Sequence, residues 1–134
     1  MKKFFVIIVT FVSLVSCTKQ VASLPGADNQ NTFFKSANIA VENMTAKPTA
    51  TSTVTISFST VFENNISRIE LMRGTDANNF CTIQSVDITG NSAVQKNYLF
   101  SDSNAKSSTM YYLLRFQDNY GNWTYSSYVT VQVN

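Results

Sequence analysis

TMYYLLRFQDNYGNWTYSSYVTVQV, residues 109–133, decides the fold. Its first half alternates: Tyr112, Leu114 and Phe116 fall on one side of an extended chain, and Tyr111, Leu113, Arg115 and Gln117 on the other. Successive side chains of a β-strand point to opposite faces, so this spacing predicts a strand with one inward and one outward face. Asp118-Asn119-Tyr120-Gly121-Asn122 then supplies turn formers, with Gly121 where a tight hairpin loop needs positive φ. The second half is rich in Tyr, Val and Thr, which favour strands. An antiparallel hairpin therefore closes the chain.

The same pattern recurs upstream. STVTISFST (residues 52–60) alternates Val54, Ile56 and Phe58 with Thr55, Ser57 and Ser59. ISRIELMRG (66–74) sets Ile69 and Leu71 opposite Arg68, Glu70 and Met72. NFCTIQSV (79–86) and KNYLFSD (96–102) are shorter strands, and a first strand runs around Ile39–Met44. The connections RGTDANNF, DITGNSAVQ and SDSNAKSST are built from the Gly, Asn, Asp and Ser of tight turns. Past the opening residues no window has helical periodicity, and there are no internal repeats. About seven short strands at even spacing predict an all-β, two-sheet sandwich.

The chain opens differently. Lys2 and Lys3 precede an apolar run, Phe4–Val15, broken only by Thr10 and Ser13. A membrane-spanning helix needs about 20 apolar residues, so this run is too short and has the make-up of a secretory h-region. No A-x-A-like cleavage site follows; Leu14-Val15-Ser16-Cys17 stands there instead. This segment resembles the lipobox of bacterial lipoproteins. The resemblance implies cleavage before Cys17, a diacylglycerol on its thiol and a chain held to the membrane by lipid, each buried methylene contributing about 0.8 kcal/mol. The expected organisation is a signal peptide at 1–16 and a lipidated N-terminus with flexible tether at 17–36. The tether carries Pro25-Gly26, and its Phe33-Phe34 tucks against a domain at 37–134. Of 10 Lys and Arg against 8 Asp and Glu, Lys2 and Lys3 lie in the leader, so the formal +2 of the whole chain falls to zero. That removes any argument for nucleic-acid binding. With Cys17 lipidated, Cys81 is expected to have no disulfide partner and to be buried as a small hydrophobe. Thr18-Lys19-Gln20 carries neither the Asp of inner-membrane retention nor the acidic run of surface export. A lipid-anchored place in the cell envelope is expected, at the outer membrane, periplasm-facing or surface-exposed.

Residues 38–133 resemble a fibronectin type III-like domain of the kind common in exported proteins of the Bacteroidetes. VTISFS stands as the second strand, and ISRIELMRGTDANNFCTI as third strand, turn and fourth strand. KNYLFSD follows, and YYLLRFQDNYGNWTYSSYVTV is the closing hairpin. The hairpin carries the most specific part, similar to the pattern YYRLRxVDxxGxxxYS. Phe58 stands where many such domains have Trp, and the Pro-rich entry is reduced to Pro48. The resemblance implies an immunoglobulin-like/fibronectin type III-like β-sandwich. It also makes Tyr112 a tyrosine corner, its hydroxyl bonding back to nearby backbone.

The absence of histidine removes the usual general base, the commonest zinc ligand and any Ser-His-Asp triad. The carboxylates fall mostly one to a loop, so a non-enzymatic protein is expected. Asp76-Ala77-Asn78-Asn79, Asp102-Ser103-Asn104 and Asp118-Asn119 offer hard oxygen ligands. None has EF-hand spacing and all are turn residues, so neither metal nor cofactor is expected. Arg73-Gly74-Thr75-Asp76 has a Thr inserted into an RGD-like tripeptide and lies between the third and fourth strands. Surface chemistry is what remains. Tyr111, Tyr120, Trp123, Tyr125 and Tyr128 gather in the last hairpin, as flat amphipathic area for stacking on sugars or anchoring proteins. Alternation brings Arg68, Glu70 and Met72 near Tyr111, Leu113 and Arg115 on one outward face, an interface-like composition. The candidate binding residues are Arg68, Met72, Tyr111, Leu113, Arg115, Tyr120 and Trp123, and the expected partner is a protein or a glycan. The alternative is a structural spacer or subunit of a larger envelope complex with no small ligand.

Overall fold

A strand with one apolar face must lay that face on another layer. The computed structural model describes residues 18–19, 32–106 and 108–134. Its strands are β1 (Thr18–Lys19), β2 (Thr32–Lys35), β3 (Ile39–Ala50), β4 (Thr53–Glu63), β5 (Ile66–Gly74), β6 (Asn79–Asp87), β7 (Lys96–Asp102), β8 (Thr109–Asp118) and β9 (Trp123–Gln132). They form a five-stranded sheet in the order β1-β6-β5-β8-β9 and a four-stranded sheet in the order β2-β3-β4-β7. All neighbours are antiparallel. The fold is an all-β, immunoglobulin-like/fibronectin type III-like β-sandwich.

The seven strands expected from alternation are β3 to β9. The alternating residues meet between the sheets: Val54, Ile56 and Phe58 of β4 join Ile69 and Leu71 of β5 and Tyr112, Leu114 and Phe116 of β8 in one buried cluster. Each such side chain contributes about 1.5–3 kcal/mol by leaving water. β1 and β2 are additional, and they fall within residues 17–36, expected to be a flexible tether. Phe34 pairs with Val41 of β3, and its ring stacks on Phe116 with centroids 5.5 Å apart. This long-range contact holds the strand. Residues 1–17, with the signal peptide and Cys17, lie outside the described residues, as does the side chain of Phe33.

Cys81 also departs from expectation. It is half-buried and disulfide-bonded. β1 pairs with Phe80 and Asn79, immediately beside Cys81, so the segment before the domain is drawn onto β6.

Two turns depend on glycine. Gly121 has φ +88° in the β8–β9 loop, where the Asp118 carboxylate accepts hydrogen bonds from the backbone N–H groups of Tyr120 and Asn122, each at 2.9 Å. At Gly74, a Cβ would lie 2.5 Å from the carbonyl oxygen of Asn79. The β5–β6 turn can close only without it. Asp76 caps that turn, accepting from the N–H groups of Asn78 at 2.7 Å and Asn79 at 2.9 Å. The Arg-Gly-Thr-Asp stretch is thereby accounted for as turn chemistry.

Tyr112 bonds differently from a tyrosine corner. Its hydroxyl donates to the Asp102 carboxylate at 2.7 Å, not to backbone. Arg73 donates to both oxygens of that carboxylate, at 2.9 and 3.0 Å, and to the Asn104 carbonyl at 2.9 Å. Asp102 lies on β7 of one sheet; Tyr112 and Arg73 lie on β8 and β5 of the other. Burial, followed by the hydrogen bond to Asp102 and its charge, pushes the Tyr112 phenol well above its usual range.

Tyr112→Phe removes one donor from a buried carboxylate while keeping the ring. The expected loss is about 1–3 kcal/mol of unfolding free energy, measured by urea denaturation. A loss near zero would show that the hydroxyl does not hold Asp102.

Candidate interaction surface

The β8 residues that alternate away from the core meet partners on both sides. On β5, Gly74 lies opposite Tyr111, Met72 opposite Leu113, Glu70 opposite Arg115 and Arg68 opposite Gln117. On β9, Thr130, Tyr128, Tyr125 and Trp123 lie opposite Tyr111, Leu113, Arg115 and Gln117. Between Leu113 and Arg115, β8 advances by two residues and β9 by three, which marks a β-bulge at Ser126-Ser127. Ser126 turns inward; its hydroxyl accepts from the Leu114 N–H at 2.9 Å and donates to the Ser127 carbonyl at 2.7 Å. The extra residue keeps Trp123, Tyr125 and Tyr128 on one face, where strict alternation would turn Tyr128 inward.

This outer face has a charged half and an apolar half. Glu70, only 6% exposed, accepts from Arg115 Nε at 2.6 Å and Thr82 Oγ1 at 2.9 Å. Arg68 Nη1 stands 3.8 Å from Glu70, and its Nε bonds Asp87 at 2.8 Å. The hydrogen bond to Asp87 holds the Arg68 guanidinium above its ordinary value. The Arg115 guanidinium lies 4.1 Å from the Trp123 ring centroid, a cation–π contact. Beside this, Met72, Phe80 and Leu113 form a second apolar cluster, with Tyr111, Tyr125 and Tyr128 half-buried around it. Tyr111 and Tyr128 meet edge-to-face with centroids 5.4 Å apart.

Of the seven candidate residues, Arg68, Met72, Tyr111, Leu113, Arg115 and Trp123 share this face. Tyr120 does not: it stands at the tip of the β8–β9 hairpin, 80% exposed. Met72 and Leu113 were expected to be exposed and are instead 1% and 0% exposed. The reason is local. Phe80 packs against the side of Gly74, where a Cβ would meet its ring at 3.2 Å, and joins Met72 and Leu113 to make a small core outside the main one. The surface is therefore the tyrosine rim with Arg68, Arg115 and Trp123. Phe80 and Thr82 were missed because a register shift opposite Leu71 and Met72 breaks the alternation of β6. The Ser126-Ser127 pair between Tyr125 and Tyr128 was the only sequence signal for the bulge.

Elsewhere, Glu63 is a buried carboxylate at the end of β4. It accepts from Thr60 Oγ1 at 2.8 Å, Lys96 Nζ at 2.7 Å and the Tyr98 hydroxyl at 2.5 Å. Burial pushes its carboxyl up, and the hydrogen bonds from Lys96, Tyr98 and Thr60 outweigh this and hold it below the usual range. The outer face of the four-stranded sheet has a shallow recess of about 360 Å³, lined by Asn43, Ser57, Ser59, Asn97 and Leu99 among others. Among the described residues no three acidic or cysteine side chains are grouped as they would be around a metal ion. Comparison with known proteins finds no matching family model, no similar curated protein and no similar solved structure.

The Glu63 carboxyl has a lower pKa folded than unfolded, so its contribution is present above its ordinary value of 4.5 and lost as pH falls through the folded value. Glu63→Gln is expected to cost about 1–3 kcal/mol at neutral pH. That difference from the parent should shrink as the pH is lowered below the ordinary glutamate range, read by denaturant unfolding across pH. A pH-independent difference would show that the charge of Glu63 is not what is bound.

Proposed function

We propose that this protein is a non-enzymatic, membrane-anchored envelope lipoprotein whose β-sandwich binds a protein or a glycan. The outer face of the five-stranded sheet is the binding surface. The observation that carries the reading is the second apolar cluster: Tyr111, Tyr125 and Tyr128 ring buried Met72, Phe80 and Leu113 on a face that an ordinary solvated sheet leaves polar. Aromatics around a desolvated patch, flanked by an arginine on a tryptophan, are the composition of binding hot spots. The same half-buried tyrosines present flat rings suited to sugars.

The anchor rests on residues 1–17, where charge, apolar run and Leu14-Val15-Ser16-Cys17 follow in lipobox order. The Cys81 disulfide supports export, since such bonds persist in oxidising compartments. It also sets a condition. The chain has two cysteines, so a bridge within one chain takes the thiol that a lipid at Cys17 would use. Lipidation of Cys17 and an intrachain bridge to Cys81 therefore exclude one another.

Two measurements test this reading. Palmitate labelling in the expressing bacterium should mark the protein and be lost in Cys17→Ser; an unlabelled parent protein carrying an intrachain bridge would remove the anchor. Envelope pulldown and glycan arrays with Tyr128→Ser/Trp123→Ala should show at least about tenfold weaker capture than the parent, as loss of hot-spot residues of about 2 kcal/mol would give. Capture equal to the parent, or no partner in either assay, would remove the surface.

A further inference from the structure

The four-stranded sheet ends in an open strand. β4 pairs along one side of β7, and no described strand pairs along the other. The opposite ends of the two sheets are less open, because β9 packs beside β2 and β3. β6 carries β1 over Asn79 and Phe80. On β7 the Ser101 N–H turns outward, donating to Gln84 Oε1 at 3.1 Å. In an antiparallel ladder alternate residues direct both backbone groups to the same side, so the N–H and C=O of Asn97 and Leu99 also face outward. Leu99 is 70% exposed, as is Val94 just before the strand. Beneath this edge Tyr98, Ile83 and Val86 are only partly buried. An apolar strand with a free backbone edge is a template for another strand.

We propose that β7 pairs antiparallel with β7 of a second copy of this chain, about a two-fold axis at Leu99. The sequence Lys96-Asn97-Tyr98-Leu99-Phe100-Ser101-Asp102 is self-complementary in that register. Leu99 meets Leu99 of the second copy, Tyr98 meets Phe100, Asn97 meets Ser101 and Lys96 meets Asp102. No like charges face each other. Lys96 and Asp102 are already paired within their own chain, to Glu63 and Arg73, so no charge is stranded. The aromatic pairs add cross-strand contact over the partly buried residues of β6. Asn97, Leu99 and Ser101 exchange hydrogen bonds across the axis, the Ser101 N–H trading Gln84 for a main-chain carbonyl. Two four-stranded sheets become one continuous sheet, and the interface is isologous, closing at two copies.

The test is sedimentation of the purified full chain over a dilution series, with residue-resolved amide exchange on the same samples. The expected result is a dimer in which the Asn97 and Leu99 amides are protected at high concentration and released on dilution. Tyr98 and Phe100 should be insensitive, since their amides face β4. Leu99→Lys brings two ammonium groups together at the axis and should weaken association by at least about tenfold, with the unfolding of the dilute monomer unchanged. Leu99→Pro, which deletes an N–H that β4 does not use, should do the same. A chain that stays monomeric, with Leu99 exchange independent of concentration, overturns the proposal. So does a dimer that survives both substitutions with Leu99 unprotected. Protection of Leu99 only when a different protein is added, the chain alone being monomeric, also overturns it.

Discussion

A carboxylate taken out of water is costly unless its oxygens are bonded, and Asp102 is the point where this constraint joins the two sheets. It sits on β7, 4% exposed, and its donors come from the opposite layer: the Tyr112 hydroxyl on β8 and the Arg73 guanidinium on β5. Any shift of one sheet past the other would leave the carboxylate without donors in the interior. Such a pair adds little net stability over apolar packing of the same volume, but it excludes alternatives that leave a charge uncompensated. Here it fixes β7, β5 and β8 in one mutual register. The glutamate at the other end of the same sheet is held within it, by Lys96, Tyr98 and Thr60. Asp102 therefore sets sheet against sheet, while Glu63 ties β4 to β7.

The outer face follows from that register. With Tyr112, Leu114 and Phe116 committed to the core, Tyr111, Leu113 and Arg115 must point away from it. Leu113 on that side would be an exposed apolar residue in a plain sheet. Gly74, Phe80 and the Ser126-Ser127 bulge convert it into the centre of a second small core with aromatic walls. A tight turn required by Gly74 and a one-residue insertion in β9 thus decide the chemistry of the surface.

Alternation made β3 to β9 and the Gly121 turn legible, because period two is a local signal that the fold preserves. What was hidden depends on distant partners. β2 is held by pairing with β3 and by Phe34 on Phe116; the aromatic pair Phe33-Phe34 signalled packing on the domain, but nothing within Thr32–Lys35 announces a strand or its partner. The acceptor of the Tyr112 hydroxyl lies in SDSNAKSST, where Asp102 reads as an ordinary turn residue until the opposite sheet closes over it. Met72 and Leu113 were placed on the correct face, but their burial required Phe80, whose strand breaks alternation at a register shift. The face was legible from sequence; its relief was not.

The tyrosine-rimmed face and the open edge lie on different sheets, so use of one leaves the other accessible. The outer face of the five-stranded sheet points away from the sandwich, whereas pairing through β7 extends the four-stranded sheet in its own plane. A pair formed through β7 would present two copies of the tyrosine rim related by the same two-fold axis. Two weak sites on one partner act as a tighter one when their spacing fits. The N-terminal segment enters at β6, where β1 lies along Phe80 and Asn79. It arrives at the edge of the five-stranded sheet, on the strand that carries Phe80 and Thr82.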